Sequence, residues 1–427
     1  MGDEAAEYES RCRAIRLREQ GVPFAQVLAR LGRSRVWLAK WLQRFRQAGW
    51  FGLKTQSRAP KRRPQSMPAR VVAKVLALRA ELQAHRTRAS RFAGIGAETI
   101  RLELARRRVW PLPGLRTIER ILKQHHLTGH PPARGKGGGE PYPGPRARDP
   151  GDLQQTDLVG PRHLRGPNGL TRFYSFHTVA LVGRGAATSQ ARHKSAEALC
   201  AHFIHAWGWL GLPRISQMDN EMAASGGGRY PYAFSLIMRL HLLLGVHLLF
   251  IPEGEPGRNA HIESFNDLWQ ERVLRHPCAD LAALKRTDRA FSRYYHFDKP
   301  HRALRVESDA TRYPGQWLEL HRAKIRSLPK GFDLHTYRDS QGRLKLPLAR
   351  GRVSFIRKVD DHGYIKVNAK PYFIGKRKAR QYVTATVYTH RKLLVIKYNR
   401  IVLKHFVFPV REQLVAPLAI PCSASHG

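Results

Sequence analysis

The sequence predicts a multidomain chain: N-terminal all-α helix-turn-helix domains, a central α/β core built on a mixed sheet, and a small C-terminal β-barrel. Three observations predict it. Helical periodicity broken at glycines runs through the first 127 residues, strands and helices alternate from 151 to 305, and six short strands crowd the end. The length agrees, since 427 residues at roughly 150 per domain suggest about three domains. In order, the blocks are 8–53 (first helix-turn-helix), 54–68 (basic linker), 69–127 (second helix-turn-helix) and 128–150 (Gly/Pro-rich linker). The core at 151–305, a connecting segment at 306–345, the barrel at 346–412 and a tail at 413–427 follow.

Composition narrows the function classes. Hydrophobic residues at 42% and charged residues at 25% are ordinary for folded protein and exclude wholesale disorder. The charge balance is not ordinary: 75 Lys and Arg against 32 Asp and Glu leave +43. Such self-repulsion calls for a polyanionic partner, and nucleic acid fits best. Membrane fits poorly. Residues Met1 to Ser10 are acidic and carry no apolar core, so no signal peptide is expected. The longest apolar stretch, Leu240 to Ile251, is too short to span a bilayer and is interrupted by His241 and His247. Cys12, Cys200, Cys278 and Cys422 lie far apart without a CxxC pair, which indicates neither a disulfide framework nor a cysteine-based zinc site. A soluble intracellular protein that meets DNA or RNA is expected.

The first block reads as a short helix from about Pro23 to Leu31 and a second from Arg35 to Gln47. Pro23 suits a first helical turn, and Ser34 suits an N-cap. Trp37, Leu38, Trp41, Leu42 and Phe45 share one side of the second helix; Lys40, Gln43, Arg46 and Gln47 share the other. Two short helices around a Gly-containing turn, with a basic and amide-rich outer face, describe a DNA reader. A basic helical bundle that binds protein is the alternative. Lys54 to Arg70 is basic and punctuated by proline, as a segment lying along phosphates would be.

The second block repeats the pattern, with helices Ala97 to Arg108 and Leu115 to His126. Leu115, Ile118 and Leu122 form the inner face of the last helix, while Arg116, Arg120, Lys123 and Gln124 point outward. Thr128 to Gly151 is too rich in Gly and Pro for helix or central strand.

The third block carries the chemistry. Strands are expected at Leu153–Val159, Phe173–Leu181 and Ala186–Arg192, then a helix Ser195–Leu210 and a strand Ile215–Met218 ending in Asp219-Asn220-Glu221. A helix from about Phe234 to Leu244, a strand Val246–Ile251 and a helix from about Asn259 to Leu274 complete it. Three acids stand at telling places: Asp157 in the first strand, Asp219 at a strand's carboxyl end, and Glu263 in a helix's first turns. Ligands of open α/β sheets gather at such strand ends. In that helix Ile262, Phe265, Trp269 and Val273 form the packing side, and Asn259, Glu263, Asn266 and Gln270 form a polar stripe. A solvated face is the ordinary meaning of such a stripe. The flanking Gly-Arg258-Asn259 loop and the two upstream aspartates argue for more.

These residues carry a resemblance. Thr156-Asp157, then Gln217-Met218-Asp219-Asn220, then Pro256-Gly257-Arg258-Asn259-Ala260-His261-Ile262-Glu263-Ser264-Phe265-Asn266 resemble the DDE core of the integrase/transposase superfamily, closest to the IS481 and IS3 groups of bacterial insertion-sequence transposases. It extends through Tyr294-Tyr295-His296-Phe297-Asp298-Lys299-Pro300-His301-Arg302-Ala303-Leu304 and, upstream, over both helical blocks. The resemblance implies an RNase H-like core in which Asp157, Asp219 and Glu263 hold two Mg2+ ions, with Mn2+ as a substitute. Mg2+ is hard and prefers carboxylate, phosphate and water oxygens. Two ions about 3.5–4 Å apart would activate the attacking oxygen and steady the leaving one. Water would attack in cleavage and a DNA 3′-hydroxyl in strand transfer. No nucleophilic side chain is needed.

The implied protein is a transposase that binds terminal inverted repeats and cuts and joins DNA. Its partners are element ends, target DNA and at least one further copy of itself, and its place is the bacterial cytoplasm, at the nucleoid. Arg258, Asn259 and Asn266 join Lys40, Gln43, Arg46, Arg116, Arg120 and Lys123 as expected DNA contacts. A regulator with an inactive core and a nuclease that cuts without joining are the other classes weighed.

There are departures. Glu263 follows Asp219 by 44 residues, longer than in retroviral integrases, with Ala223 to Tyr232 as the expected insertion. Glu221, Glu253, Glu255 and Asp267 are the acids that could replace one of the three. The zinc module of retroviral integrases is missing, and Phe297-Asp298-Lys299 differs from the commoner family residues.

The last block predicts strands Val353–Ile356, Tyr364–Val367, Lys370–Ile374, Tyr382–Tyr388, Leu393–Tyr398 and Ile401–Phe408. Their spacing suggests a small barrel that resembles the SH3-like end domain of integrases and transposases. Lys376 and Arg377, with Lys378 and Arg380, form a basic loop expected to lie on DNA backbone or to be simply solvated.

Overall fold

A computed structural model describes residues 2–55, 67–87, 90–128, 142–167, 169–220, 232–304 and 313–419. Most of both expected linkers, Glu221 and nearly all of the expected insertion lie outside the described residues. The chain divides into two units, Met1–Arg70 and Val71–Gly427.

The first unit is three helices, α1 (Gly2–Glu19), α2 (Phe24–Leu31) and α3 (Arg35–Ala48), closed by a 3-10 turn Gly49–Leu53. Ser34 caps α3, its hydroxyl accepting from the Trp37 N–H at 3.2 Å. Gly32, at φ 61°, makes the left-handed turn between α2 and α3 that a side chain would strain. Pro23 sits at the N-cap of α2 rather than inside its first turn. Leu38 and Trp41 turn inward, packing with Ala14, Ile15, Val27 and Leu53, while Lys40, Gln43, Arg46 and Gln47 are exposed. The Arg11 guanidinium lies 4.0 Å from the Trp41 ring centre and donates to the Leu53 carbonyl at 3.0 Å. This is the expected helix-turn-helix, with its basic face outward.

In the second unit α4 (Ala69–Ala84), α5 (Ala97–Arg106) and α6 (Leu115–Gln124) come first. Ile118, Ile121 and Leu122 of α6 are buried, and Arg116, Arg120 and Lys123 are exposed. An eight-residue connection, 107–114, joins α5 to α6 and is longer than the turn in the first unit. This block does not stand apart. Phe92 enters the same apolar cluster as Phe265 and Phe291, and Arg272 donates to the Ala93 carbonyl at 2.5 Å.

Among the described residues eleven strands follow: β1 (Leu153–Gly166), β2 (Gly169–Ala180), β3 (Ala186–Ala191), β4 (Ile215–Met218), β5 (His247–Phe250), β6 (Arg352–Lys358), β7 (Tyr364–Val367), β8 (Lys370–Phe373), β9 (Tyr382–Tyr388), β10 (Leu393–Tyr398) and β11 (Ile401–Val407). Between them run α7 (Ala196–Leu210), α8 (Leu236–Leu243), α9 (Ala260–Val273), α10 (Leu281–Arg293) and α11 (Pro314–Leu320). Nine strands form one mixed sheet in the order β11-β10-β9-β6-β5-β4-β1-β2-β3. β1, β4, β5 and β6 are parallel, and antiparallel wings flank them.

Alternation along β1 assigns the two faces. Gln154 donates to the Gly211 carbonyl at 2.9 Å and Thr156 connects through Thr178 to His202, so even positions meet the end of α7 and its side of the sheet. Gln155 accepts from the Ile262 N–H at 3.2 Å and Val159 packs with Trp269, so odd positions meet α9. The apolar stretch 240–251 divides between α8 and β5. Among the described residues no helix is long and apolar enough to cross a membrane.

The strands of the small β-barrel expected at 346–412 do not form a sheet apart from the core. All six strands form within a residue or two of their expected bounds, but β6 pairs with β5 (Leu248↔Val353, Phe250↔Phe355) and β9, β10 and β11 extend the same sheet. Only the β7–β8 hairpin forms a sheet of its own. The physical reason is a shared core: Leu248 and Phe250 cluster with Val353, Phe355, Leu394 and Ile396. Phe355, 1% exposed, stacks on Phe250 with ring centres 5.0 Å apart. Phe355→Ala is therefore expected to cost about 3–5 kcal/mol. In urea melts it should lower the midpoint of the core's own transition; a shift confined to the C-terminal strands would mean two separate domains.

Candidate active site

The three acids arrive from three elements. Asp157 lies in β1, opposite His177 of β2. Asp219 directly follows β4, whose last residue Met218 pairs with Thr156. Asp157 and Asp219 each stand one residue beyond that last registered pair of the two parallel strands. Glu263 stands in the first turn of α9.

The start of α9 is tied down on both sides. Gln155 of β1 accepts from the Ile262 N–H, and Gln217 of β4 donates to the Arg258 carbonyl at 3.1 Å and to Asn259 Oδ1 at 2.8 Å. Beneath, Ile262 and Trp269, both 0% exposed, bury the helix against β1 and β2. Glu263 is thus held over the sheet by two glutamines that flank the two aspartates in sequence.

Electrostatics link Asp157 to each of the other two acids. Burial pushes the Asp157 carboxyl up to about 6, and the charges of Asp219 and Glu263 push the same way; the Leu158 N–H and the Asn266 amide oppose them. Glu263 is also raised, by burial and by Asp267. Among the described residues no three His, Cys, Asp or Glu side chains are drawn together closely enough to hold a metal ion. Asp157, with the charges of Asp219 and Glu263 acting on it, offers hard carboxylate oxygens of the kind a divalent cation prefers.

A raised carboxyl means that the folded chain holds its proton more tightly than the unfolded chain does. The contribution is most favourable below the ordinary Asp value of about 4 and is lost as pH rises through about 6. Asp157→Asn should therefore raise stability above pH 6 by about 1–2 kcal/mol, allowing for solvent screening, and change little near pH 4. Unfolding curves at the two pH values check it; equal stability at pH 8 would contradict it.

Three expected DNA contacts have partners within the chain. Asn266, 6% exposed, donates from Nδ2 to Asp157 Oδ2 at 2.7 Å, and its Oδ1 lies 2.7 Å from His177 Nδ1. Asn259, 3% exposed, is bound to Gln217. Arg258 is half-buried, donating to Glu255 at 3.0 Å and to the Tyr382 hydroxyl at 3.1 Å, with its guanidinium 4.2 Å from the Tyr142 ring centre. Much of the polar stripe faces the sheet, because the glutamines and the apolar side of α9 turn it inward. Lys40, Gln43, Arg46, Arg116, Arg120, Lys123, Lys376 and Arg377 all remain exposed.

Glu255 is occupied by Arg258 and Tyr382, and Glu253 is exposed and accepts from the Asn220 amide at 2.8 Å. Asp267 is exposed. His301 packs on Tyr295, ring centres 4.7 Å apart.

Sequence reasoning misses two groups. Arg357 of β6, 6% exposed, donates to the Asn220 side chain at 2.9 Å and to the carbonyls of Ile251 and Lys366 at 3.1 and 3.0 Å. Burial pulls its guanidinium down to about 10, with Glu253 and Asp219 opposing. It pins the segment that carries Asp219 to the last third of the chain. The second group continues behind Asn266: His177 Nε2 lies 2.7 Å from Ser175 Oγ, which accepts from Gln190 Nε2 at 3.3 Å. A signal for it exists in the sequence: polar Ser175 and His177 recur at period two between apolar Phe173 and Val179 on one face of β2.

Residues 6–50 match the family model of the homeodomain-like domain. No curated protein matches the chain. Among solved structures, the chain is similar to one in the cryo-EM structure of the simian T-cell lymphotropic virus intasome in complex with PP2A regulatory subunit B56 gamma, with 13% identity, 76% of this chain and 96% of that chain covered, and a TM-score of 0.30. It is also similar to the HTLV-2 integrase catalytic core domain in complex with magnesium. The trimeric form gives 14% identity, 40% and 98% coverage and a TM-score of 0.28; the dimeric form gives 14%, 37%, 93% and 0.27.

Proposed function

We propose that the chain is a DNA transposase of the IS481/IS3 kind, cutting and joining DNA at element ends it recognises through its helix-turn-helix unit. The observation that carries this reading is that Asp157, within β1, feels the charges of both Asp219, just past the end of β4, and Glu263, in the first turn of α9. A chain of net charge +43 has little other reason to concentrate negative charge there. In this reading the three hold two divalent cations, Mg2+ or Mn2+, which supply charge neutralisation at the scissile phosphate. The residues around them do the rest. Gln155 and Gln217 orient Glu263, Arg357 and Asn220 hold the segment after β4, and Asn266 holds Asp157.

Exposed Lys40, Gln43 and Arg46 would read one duplex site; Arg116, Arg120 and Lys123 would extend the footprint, and Lys376 and Arg377 would lie on backbone. Joining two ends calls for at least two copies, related by two-fold symmetry. The protein would work at the nucleoid in the cytoplasm.

The test uses a labelled duplex carrying the DNA that flanks the coding sequence, a target plasmid and Mg2+. Cut and joined products are expected. Deleting residues 1–70, a compact unit by itself, should remove preference for that duplex over random DNA. Cutting without joining favours a nuclease, and binding without either favours a regulator.

A further inference from the structure

We propose that Gln190, Ser175, His177 and Asn266 are positioning residues for Asp157: a one-directional hydrogen-bond relay that locks one carboxylate oxygen and presents the other to a divalent cation. The inference rests on the functional reading above and adds four residues to that site.

The direction of the relay follows from what each group can do. A carboxylate only accepts, so Asn266 turns its NH2 toward Asp157 Oδ2, 2.7 Å away. Its carbonyl oxygen is then the atom facing His177 Nδ1, also at 2.7 Å, and that nitrogen must carry the imidazole proton. Burial holds His177 far below its ordinary range, so the ring is neutral and Nε2 keeps a lone pair. The Ser175 hydroxyl, 2.7 Å from Nε2, must therefore donate to it. That leaves the Ser175 oxygen as acceptor for Gln190 Nε2 at 3.3 Å. Gln190 is also hydrogen-bonded to buried Asp288, whose own carboxylate takes Thr188 Oγ1 at 2.7 Å and Trp269 Nε1 at 2.6 Å. No member has a second choice of role.

Burial makes the relay rigid. Ser175 and His177 are 0% exposed, Asn266 6% and Gln190 7%, so water cannot replace a lost partner and a broken link leaves an unpaired polar group. The imidazole is held between the Phe265 ring, centres 5.4 Å apart, and the Trp269 ring at 4.7 Å. Asp157 itself is only partly buried; its Oδ2 is the oxygen taken by Asn266, and the Leu158 N–H is the other donor to its carboxylate. An outer shell that fixes a ligand's orientation typically changes metal affinity or activity by about 10–100-fold when removed.

The experiment measures Mn2+ binding by electron paramagnetic resonance on the full chain without DNA, and the His177 tautomer by 15N NMR of histidine-labelled protein. Wild type should bind Mn2+ in a manner lost in Asp157→Asn, with His177 protonated on Nδ1. Asn266→Ala should weaken Mn2+ binding about 10–100-fold. Ser175→Ala touches neither Asp157 nor Asn266, and should weaken it several-fold while releasing the tautomer. If Asn266→Ala does not fold, Ser175→Ala decides. Unchanged Mn2+ affinity in the variants that fold, or a proton on Nε2 in wild type, overturns the relay and leaves the functional reading standing. Mn2+ binding indifferent to Asp157→Asn overturns the functional reading and the relay's role with it.

Discussion

The Asp219→Asn protein is expected to lose DNA cutting and joining together, by orders of magnitude, while its binding to DNA holds or tightens. Asn keeps the shape of Asp but replaces an anionic ligand with a neutral amide, and a hard cation is held chiefly by charge. Binding is spared because removing a negative charge near phosphate only lowers repulsion. Asp157→Asn and Glu263→Gln should behave alike, since Asp157 lies in the field of both other acids. Asp267→Asn is the informative control: it is exposed, its charge acts on Glu263, and most activity should remain. A single-turnover gel assay with all four variants checks this. An active Glu263→Gln beside a dead Asp267→Asn would move the third acid by one helical turn.

DNA affinity is expected to fall steeply with salt. A chain of +43 that neutralises about six to ten phosphates should lose about 10³–10⁵ in affinity between 50 and 200 mM salt. Lys40, Arg46, Arg116, Arg120, Lys123, Lys376 and Arg377 are exposed and able to reach phosphate. The buried Arg357 and the engaged Arg258 are not, so their charge should add nothing to the slope. Titrations at four salt concentrations measure it, and the slope should be unchanged in Asp219→Asn. Affinity that barely responds to salt would contradict an electrostatic interface.

The sequence reads local structure well where periodicity and capping agree. Ser34 caps α3, Trp41 and Leu38 turn inward, and β4 ends at Met218, because each depends on neighbours a few residues away. Partnership across the chain is another matter. Alternation in 353–356 announces a strand but says nothing of its neighbour, so the pairing of β6 with β5 and the loss of a separate barrel are invisible until the sheet is assembled. The same limit applies at the site. Asn259 and Asn266 form a stripe that alone reads as solvated, and only Gln217, 42 residues away, and His177, 89 residues away, reveal that it is buried. Arg357 is hidden for a related reason: a basic residue near a strand's end reads as exposed, yet it ties the Ile251 carbonyl and the Asn220 side chain, 106 and 137 residues away, to its own strand.

The central claim is that three acids, from β1, the end of β4 and the start of α9, form one catalytic set for cutting and joining DNA. Its most direct measurement follows a labelled element end with target plasmid and Mg2+, in wild type and in the Asp157→Asn, Asp219→Asn and Glu263→Gln proteins. Joined product from wild type that needs Mg2+ and vanishes in all three variants is the predicted result. Joined product that persists in all three, or none from wild type at any divalent ion concentration, would contradict it.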